Sequence, residues 1–513
     1  MSTLFIIFCV FSASMYGRNV TTIHDSTKKI GNGQIHAVKQ LQEDIDAILS
    51  TPELVNATVG MSVINLESGE TFYKRNANTS LIPASTMKMF TTAAALELLG
   101  PDFTYTTRLY IDGEIKHSGE LDGDLIIRAS GDPSMSFSFI KDPGIILDNI
   151  ALKLDSLGIT SIKGNIILDH SYFDNEEFGP GWAIDDIPYP YSAPVSAMAF
   201  HDNKVELSFK PGAKAGDYSR MTMIPDNTYL RIVNNVMTIP NGGATLIDSD
   251  VDPRSGVIDM RGTIALPDLS LTEKKSIEET STTIGMSIDD PAQFFLHLFK
   301  QRLEKMGIRI RGSLLKSDML DEQIDYVNAK EIHAYNSPSM ASIIKTINTI
   351  SHNLGAEMLF KTMGKEQFGE GTFAKGVECM KKFISKIGII PDQCSIVDGS
   401  GLSRLNLLNA YQQTLLLTAM NRSPNKEYFR ASLARPGQPG TLKNRMLKSL
   451  AEQQVIGKTG SMNNVACLSG YITTRDGEQL AFSIMMNGFT VPDGIIRNLQ
   501  DLLCMRLASF SRK

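Results

Sequence analysis

Apolar residues recur at helical spacing in several stretches of the chain. Ile35–Leu49, Phe294–Met306 and Ile495–Phe510 each carry apolar residues along one face, which is typical of amphipathic helices. Ser85–Leu99 differs, because it is apolar nearly all round and is followed directly by Gly100. That pattern predicts a helix buried inside a domain, with Ser85 at its mouth.

Short runs rich in apolar and β-branched residues predict strands near both ends of the chain. Val59–Leu66 and Thr71–Lys74 form a predicted hairpin. Close to the carboxyl end, Val455–Ser461, Val465–Thr474 and Leu480–Met486 are predicted as consecutive antiparallel strands. We therefore expect an α/β domain in which an antiparallel sheet takes strands from both chain ends and is covered by the terminal helices.

The middle of the chain predicts inserted β-rich accessory domains. From residue 104 to about 290 the sequence is rich in short strands with Gly and Asp turns, far more than a loop requires. A helix beginning at Asp290-Pro291 is interpreted as the return to the first domain. The predicted division is residues 35–103 and 284–513 for the catalytic domain, 104–128 and 200–283 for one accessory domain, and 129–199 for a second.

Composition narrows the class of protein without selecting one. The 513 residues are 42% hydrophobic, with a net charge of -6 and a pI near 5.8, so there is no basic surface typical of nucleic-acid binding. No stretch is long enough for a transmembrane helix. Residues 1–17 resemble a signal peptide, although no positive residue precedes the apolar run, and Cys9 follows a bulky Phe8 and is not predicted to carry a lipid.

The remaining cysteines and the histidines suggest no metal or cofactor. Four cysteines lie in the last third of the chain, and the sequence leaves open whether they pair or stay as isolated buried thiols. The eight histidines are scattered, and no His or Cys cluster has metal-ligand spacing. We therefore expect a chemistry carried by side chains alone.

A serine three residues before a lysine is the first candidate for that chemistry. The spacing places both side chains on one helical face, and burial of the ammonium would favour a neutral lysine that acts as a base for the serine. Only the pair Ser85 and Lys88 begins a long apolar helix, so the other matches are interpreted as surface residues. The matching serines are Ser26, Ser85, Ser138, Ser313, Ser342 and Ser423.

Two further motifs follow in order. Ser351-His352-Asn353 falls on a predicted short connection between two helices, where the polar side chains either cap the helices or face a cleft. Lys458-Thr459-Gly460-Ser461 lies on a predicted strand, where the lysine either faces solvent or binds a carboxylate. Taken together, the three motifs favour a serine acyl-transfer site without a catalytic histidine.

With these motifs, the chain resembles the D-alanyl-D-alanine carboxypeptidase/endopeptidases among the low-molecular-mass, class C penicillin-binding proteins. The resemblance covers nearly the whole chain and implies a penicillin-recognising serine transpeptidase-like domain with a helical subdomain. One departure is His352, where the family usually has Asp. This middle residue is assigned no chemical step, so the change concerns the fine adjustment of the site more than its activity. The additional matching strings are Gly131-Asp-Pro133, Gly181-Trp182, Tyr191-Ser-Ala-Pro-Val-Ser-Ala197, Ala356-Glu357, Asp398-Gly-Ser-Gly-Leu-Ser-Arg404 and Gly440-Thr-Leu-Lys-Asn-Arg-Met446.

The resemblance implies a role for each motif residue. Ser85 would attack the carbonyl between two D-alanines, and Lys88 would take its proton. Ser351 would pass a proton to the leaving amine, and Asn353 would hold the substrate amide. The residues implied to bind the terminal carboxylate are Lys458, Thr459 and Ser461. The main-chain N–H groups of Ser85 and Ser461 would form the oxyanion hole.

The same resemblance implies the partners and the compartment. The substrates would be peptidoglycan peptides in the periplasm, β-lactams would acylate the serine, and no cofactor or nucleic acid would take part. Two alternatives remain open from the sequence. One is a β-lactamase or esterase that uses the same Ser-Lys pair, which the large insert and the string Asp398–Arg404 argue against. The other is a non-catalytic peptidoglycan-binding protein, which the intact motifs argue against.

Overall fold

The computed structural model describes residues 32–251, 255–267 and 281–512. The predicted signal peptide, residues 1–17, and Ser26 lie outside these ranges. The helices of the described residues are α1 (Asn32–Leu49), α2 (Met87–Leu98), α3 (Gly144–Ser156), α4 (Pro291–Lys305), α5 (Met340–Ile350), α6 (Asn353–Phe368), α7 (Phe373–Lys386), α8 (Ala410–Arg422), α9 (Lys426–Ser432), α10 (Ala451–Gln454) and α11 (Asp493–Ala508).

The strands occur in groups between these helices. They are β1 (Thr58–Asn65), β2 (Thr71–Arg75), β3 (Thr106–Ile115), β4 (Glu120–Arg128), β5 (Ser161–Ile162), β6 (Ile166–Asp169), β7 (Lys204–Lys210), β8 (Arg220–Ile224), β9 (Arg231–Ile239), β10 (Leu246–Val251), β11 (Val257–Ala265), β12 (Thr282–Ser287), β13 (Arg309–Ile310), β14 (Leu314–Lys316), β15 (Lys330–Asn336), β16 (Val455–Met462), β17 (Val465–Thr473) and β18 (Gln479–Asn487).

An antiparallel five-stranded sheet joins the two ends of the chain. Its strand order is β16-β17-β18-β1-β2, so the amino-terminal hairpin pairs with the carboxyl-terminal strands. Ser483 of β18 lies between two serines of the neighbouring strands, Ser62 of β1 on one side and Ser469 of β17 on the other. The predicted α/β fold, with a sheet built from both chain ends, is confirmed.

The two faces of this sheet have different neighbours. Helices α1 and α11 pack on one face and form a hydrophobic core with it, including Leu41, Ile45 and Leu503, which are fully buried. Helix α8 packs on the other face and leads into a helical subdomain that contains α2, α5, α6, α7 and α9. The buried helix α2 is nearly surrounded by these elements, which explains why its sequence is apolar on all sides.

The residues between the motifs form separate sheets. A mixed sheet of seven strands has the order β13-β5-β4-β3-β15, with β6 pairing both β4 and β14. Farther along, β12, β7 and β8 form an antiparallel sheet, and β10, β11 and β9 form another. The inserted material is thus β-rich, as predicted.

The sheet pairing bears on the predicted domain boundaries. Helix α4 was expected to mark the return to the catalytic domain, but it packs on α3 and on strands of the seven-stranded sheet. Strand β15, Lys330–Asn336, pairs with β3 of that same sheet. We therefore propose that the return to the catalytic domain lies at α5, near residue 337 rather than 284. The apolar face of α4 predicted a helix correctly but carries no information on which sheet it covers.

Two further findings concern the sequence expectations. None of the described helices combines the length and the apolar character needed to cross a membrane. The four cysteines in the described part of the chain are free thiols, so the open question of pairing is answered in favour of unpaired cysteines. They are Cys379, Cys394, Cys467 and Cys504.

Candidate active site

Ser85 lies in a tight turn that leads directly into the buried helix. A single 3-10 turn, Ala84–Thr86, precedes α2, and Ala84 has a left-handed backbone with φ of 46°. Ser85 is partly exposed, whereas Lys88, one turn later, is fully buried. The helical spacing brings the Lys88 Nζ to 2.8 Å from the Ser85 Oγ, which is within proton-transfer distance.

Lys88 has three polar neighbours, which can accommodate either its ammonium or its neutral amine. Its Nζ lies 2.6 Å from Asn353 Oδ1 and 2.8 Å from the carbonyl oxygen of Ser400, and both are acceptors without hydrogens. A neutral amine has two N–H donors and one lone pair. In that form the two donors match these two oxygens and leave the lone pair for the Ser85 hydroxyl proton, whereas the ammonium form donates its third N–H to Ser85 Oγ.

The electrostatic surroundings of Lys88 favour that neutral form. Burial lowers the pKa of the Lys88 ammonium from its ordinary value of 10.5 to about 7, against the opposing influence of the Glu357 and Asp398 carboxyls. At neutral pH far more of the amine is thus available as a base than in an exposed lysine. A serine hydroxyl requires such a base before it acts as a nucleophile.

The second motif occupies the junction between α5 and α6. Ser351 ends α5 in a left-handed conformation, with φ of 64° and ψ of 46°, and Asn353 is the first residue of α6. This sharp junction turns both side chains toward the two lysines. Asn353 binds Lys88 through Oδ1, and its Nδ2 donates to the carbonyl oxygen of Tyr191 at 2.7 Å. Both ends of this amide are therefore bonded within the protein.

The third motif lies on the edge strand β16. This strand pairs with β17 on one side only, except at Gly457, which bridges to Ala434 on the outer side. Because main-chain groups alternate in direction along a strand, those of Thr459 and Ser461 share the outer side with Gly457. An edge of this kind can accept an extended peptide as an additional strand.

Lys458 is buried against the second motif and does not face solvent. Its Nζ lies 2.8 Å from Ser351 Oγ and 2.8 Å from the carbonyl oxygen of Thr459. Burial, together with the positive charge of Lys88, holds the pKa of the Lys458 ammonium well below its ordinary value of 10.5. Lys458 and Ser351 thus form a second hydrogen-bonded pair beside the group of Lys88, Ser85 and Asn353.

Gly460 allows β16 to approach the turn that carries Ser85. A Cβ at this position would lie 2.7 Å from the Pro83 carbonyl oxygen and 3.0 Å from the Ser85 nitrogen. Any other residue would push the strand away from the turn. The glycine therefore places the main chain of β16 beside the amide of Ser85, where two N–H groups can converge on one oxygen.

A cavity of about 590 Å³ opens above this group. Ser85, Ser351, Asn353 and Ser461 line it, whereas Lys88 and Lys458 are fully buried and do not. Thr459, predicted as a carboxylate ligand, is half-buried and does not line it either. The remaining lining residues are Ala183, Asp185, Asp186, Tyr191, Gly401, Leu402, Arg404, Met462, Asn463 and Asp493.

Two buried carboxylates support the site, and the sequence analysis assigned them no role. Glu357 accepts the main-chain N–H groups of Gly399 and Ser400, each at 2.7 Å, and so fixes the loop whose carbonyl holds Lys88. Burial first, and then the Asp398 charge, raises the pKa of Glu357 to about 8. Asp398 closes the same loop, accepting from the main chain of Gly401 and from other donors. Burial likewise raises the pKa of Asp398.

A local signal for one of these residues was present in the sequence. Glu357 lies within an otherwise apolar stretch of α6, where an acidic side chain is rarely buried without partners. Its partners come from a loop about forty residues later, and nothing in the local pattern indicates them. Among the described residues, no group of three or more His, Cys, Asp or Glu side chains is arranged to hold a metal ion.

The chain is similar in sequence to known proteins of one family. The sequence profile of the D-Ala-D-Ala carboxypeptidase 3 (S13) family matches residues 41–507. A D-alanyl-D-alanine carboxypeptidase from an Actinomadura species is 32% identical over 483 residues, covering 92% of this chain and 85% of that protein.

Solved structures show the same fold. The crystal structure of penicillin binding protein 4 (dacB) from Haemophilus influenzae matches with a TM-score of 0.76 at 23% identity, over 91% of this chain and 100% of that chain. A second structure of that protein, complexed with a β-lactam, matches with a TM-score of 0.71 at 22% identity, over 90% of this chain and 97% of that chain. Since the profile spans most of the sequence and the fold agrees, the chain belongs to the D-Ala-D-Ala carboxypeptidase 3 (S13) family of hydrolases.

Proposed function

We propose that this protein is a serine D-alanyl-D-alanine carboxypeptidase and endopeptidase that acts on peptidoglycan stem peptides through an acyl-enzyme. The observation that carries the proposal is the fully buried Lys88 amine, which lies 2.8 Å from the Ser85 hydroxyl at the base of an open cavity. The carboxypeptidase activity follows from the family. The acyl-enzyme, the cleavage of cross-links and the roles of individual residues are the proposed part.

Acylation begins with proton transfer from Ser85 to Lys88. The Ser85 Oγ attacks the carbonyl carbon between the two D-alanines, and the carbonyl oxygen takes the negative charge in the tetrahedral intermediate. The main-chain N–H groups of Ser85 and Ser461 stabilise that oxyanion, which is the largest expected contribution to catalysis. Gly460 supports this role, because it lets the two segments approach closely.

Collapse of the intermediate breaks the bond to the leaving D-alanine. The leaving nitrogen needs a proton, and Ser351 donates it while Lys458, 2.8 Å away, replaces the proton on the Ser351 oxygen. Water then attacks the ester on Ser85 and restores the free enzyme. Burial and the positive charge of Lys88 lower the pKa of Lys458, which makes the Lys458 ammonium a readier proton donor to Ser351.

Substrate binding is assigned to β16 and α6. The terminal carboxylate of the substrate binds near Lys458, Thr459 and Ser461, at the outer edge of the strand. Asn353 holds Lys88 and binds the substrate amide, which would replace the Tyr191 carbonyl as the acceptor for its Nδ2. In a cross-link, the second stem peptide takes the place of the leaving D-alanine.

A β-lactam reacts at the same serine. Its strained amide presents a carbonyl to Ser85 and a carboxylate to β16, and the acyl group remains attached because the leaving amine stays tethered. The likeness to a penicillin binding protein determined with a bound β-lactam supports this proposal. We also propose that the protein is exported to the periplasm, as the leader sequence and the location of peptidoglycan indicate.

Labelling and hydrolysis assays test the proposal together. Purified protein is incubated with a fluorescent penicillin, and the adduct is located by mass spectrometry. Release of D-alanine from a pentapeptide and cleavage of a cross-linked muropeptide are then measured. We expect a single adduct at Ser85 and hydrolysis of both substrates. The Ser85→Ala variant should show neither, whereas Ser138→Ala, in another Ser-x-x-Lys match, should retain both.

Other outcomes would select another function. Rapid and repeated hydrolysis of nitrocefin, with no release of D-alanine, would identify a β-lactamase. Binding of muropeptides without acylation or hydrolysis would identify a non-catalytic binding protein. An adduct on a serine other than Ser85 would contradict the assigned nucleophile.

A further inference from the structure

His352 forms the start of the helix that carries Asn353. Its Nδ1 accepts a hydrogen bond from the main-chain N–H of Gly355 at 2.9 Å, in the N-cap position of α6. A side-chain acceptor at this position satisfies one N–H that has no partner within the helix. Because His352 stands between Ser351 and Asn353, the same cap fixes the backbone of both motif residues.

The other nitrogen of the ring reaches a segment of the insert. His352 Nε2 lies 3.1 Å from Oδ1 of Asp202, and both side chains are buried, with exposed fractions of 11% and 8%. Apart from this contact, Asp202 Oδ1 is buried without a hydrogen-bond partner among the described residues. The edge of Phe139 packs against the imidazole, with ring centroids 5.0 Å apart. The ring is thus held between the insert and the catalytic helix.

Asp202 is itself held in an unusual turn. His201, Asp202 and Asn203 all have positive φ, at 53°, 57° and 51°. Non-glycine residues rarely adopt this conformation, and three in succession persist only where the surroundings hold them. Ser138 donates to Asp202 Oδ2 at 2.7 Å, and Asn203 Nδ2 donates to the Pro194 carbonyl at 2.9 Å. The strained turn therefore presents the carboxylate to His352 in a fixed position.

One neutral imidazole satisfies both contacts. Nδ1 must be unprotonated to accept from the Gly355 N–H, so Nε2 carries the proton and is directed at Asp202. An asparagine at position 352 can place its Oδ1 near the position of Nδ1, but its shorter side chain has no atom at the position of Nε2, so it would cap α6 without reaching Asp202. The cap and the contact with the insert can therefore be separated by mutation.

We propose that His352 and Asp202 form a positioning pair that holds Ser351 and Asn353 in line with the two buried lysines. Through this pair the insert sets the geometry of the second motif, although it contributes none of the three motifs itself. The inference rests on the proposed function, because acylation of Ser85 is its readout. It assigns a role to the one motif position at which this chain departs from the family pattern.

The test compares acylation in four single variants and one double variant of the full-length protein. His352→Asn keeps the helix cap and removes the contact with the insert. Asp202→Ala removes the carboxylate, whereas Asp202→Asn retains an acceptor oxygen at the same place. Ser156→Ala is the matched control, since it removes an exposed serine hydrogen bond of the insert, to the Lys153 carbonyl oxygen, and leaves both Asp202 and His352 untouched. Stopped-flow labelling with a fluorescent penicillin gives both the amplitude and the rate of acylation.

We expect His352→Asn and Asp202→Ala each to be acylated about tenfold more slowly than the parent protein, with full labelling amplitude. This decrease in rate is smaller than the roughly 10²-fold decrease that a displacement of about 1 Å can cause. Asp202→Asn and the control Ser156→Ala should remain close to the parent rate. The double variant His352→Asn/Asp202→Ala should be no slower than either single variant, because the two residues act as one unit.

The result distinguishes positioning from general stability. A variant that is partly unfolded would lose amplitude while its folded fraction kept the parent rate, and that outcome would overturn the inference. Parent rates in both His352→Asn and Asp202→Ala would also overturn it, as would strictly additive losses in the double variant. If the parent protein itself is not acylated, the proposed function fails and the inference fails with it.

Discussion

Replacement of Lys88 by methionine removes the proposed base while keeping a side chain of similar length. The methionine has no amine to accept the Ser85 proton, and it leaves Asn353 Oδ1 and the Ser400 carbonyl without their donor. We therefore expect Lys88→Met to lose acylation rather than substrate binding. General-base catalysis typically contributes about 10²–10⁴-fold to a rate, and the loss should fall in that range.

The pKa of Lys88 predicts a second and sharper signature. The difference between its ordinary value of 10.5 and about 7 corresponds to roughly 5 kcal/mol in favour of the neutral amine. An exposed lysine would be neutral in only about one molecule in 3000 at pH 7, whereas Lys88 is neutral in about half. Because the pKa is lowered, the neutral base is present above pH 7 and is lost as the pH falls below it.

The assay is the second-order rate constant of Ser85 acylation by benzylpenicillin, measured from pH 5 to pH 9. In the parent protein the rate should rise about tenfold per pH unit below pH 7 and level off above about pH 8. In Lys88→Met the rate should be low and should lack this inflection. Thermal unfolding of each protein at the same pH values establishes that only folded protein is compared.

Two results would refute this reasoning. Acylation of Lys88→Met at the parent rate would mean that another group takes the proton. A parent profile that stays level down to pH 5 would mean that Lys88 is charged throughout and serves as an electrostatic group instead of a base.

Three further substitutions probe the surroundings of this pair. Lys458→Ala should lower kcat/KM for D-alanyl-D-alanine peptides about 10- to 150-fold, since a hydrogen bond to a charged group contributes about 1.5–3 kcal/mol. The loss should appear in KM, through carboxylate binding, and in kcat, through return of the proton to Ser351; an unchanged KM in steady-state assays would argue against Lys458 as the carboxylate anchor. Glu357→Gln offers one acceptor oxygen to two main-chain N–H groups, so it should lower the free energy of unfolding by about 1–3 kcal/mol in urea titrations. A variant as stable as the parent protein would contradict the role of Glu357 in holding the loop. Gly460→Ala should slow acylation at least about tenfold, because the added methyl group pushes β16 away from Ser85. The control Gly494→Ala should acylate at the parent rate, since a Cβ there meets nothing within 4 Å. Equal acylation rates in the two variants would show that the close approach of β16 is unnecessary.

Much of the catalytic domain follows from local patterns. The apolar run after Ser85 predicts a buried helix, which forms as α2 over Met87–Leu98 after a single 3-10 turn. The alternation near the carboxyl end predicts three strands, which form as β16, β17 and β18. Patterns with periods of 3.6 and 2 report which side of an element is buried, so they predict elements well.

The same patterns do not report which element covers another. The apolar face of α4 could cover either the five-stranded sheet or the seven-stranded sheet. Only the folded chain shows that it packs on the seven-stranded sheet. Strand β15 likewise pairs with β3, more than two hundred residues earlier. Boundaries of inserted domains therefore cannot be derived from periodicity alone.

For the site itself, the sequence by itself determined the reactive groups and their order. Ser85 and Lys88 are three residues apart, so an α-helix alone brings them together, and the other two motifs are recognisable as strings. Tertiary structure decided the chemistry of these groups. Lys88 meets Asn353, 265 positions away, and Ser400, 312 positions away, and burial by those segments lowers its pKa to about 7. The contact between His352 and Asp202 has the same origin. Helical spacing is a local property of the chain, whereas a pKa and a hydrogen-bond partner depend on what the fold packs around a side chain.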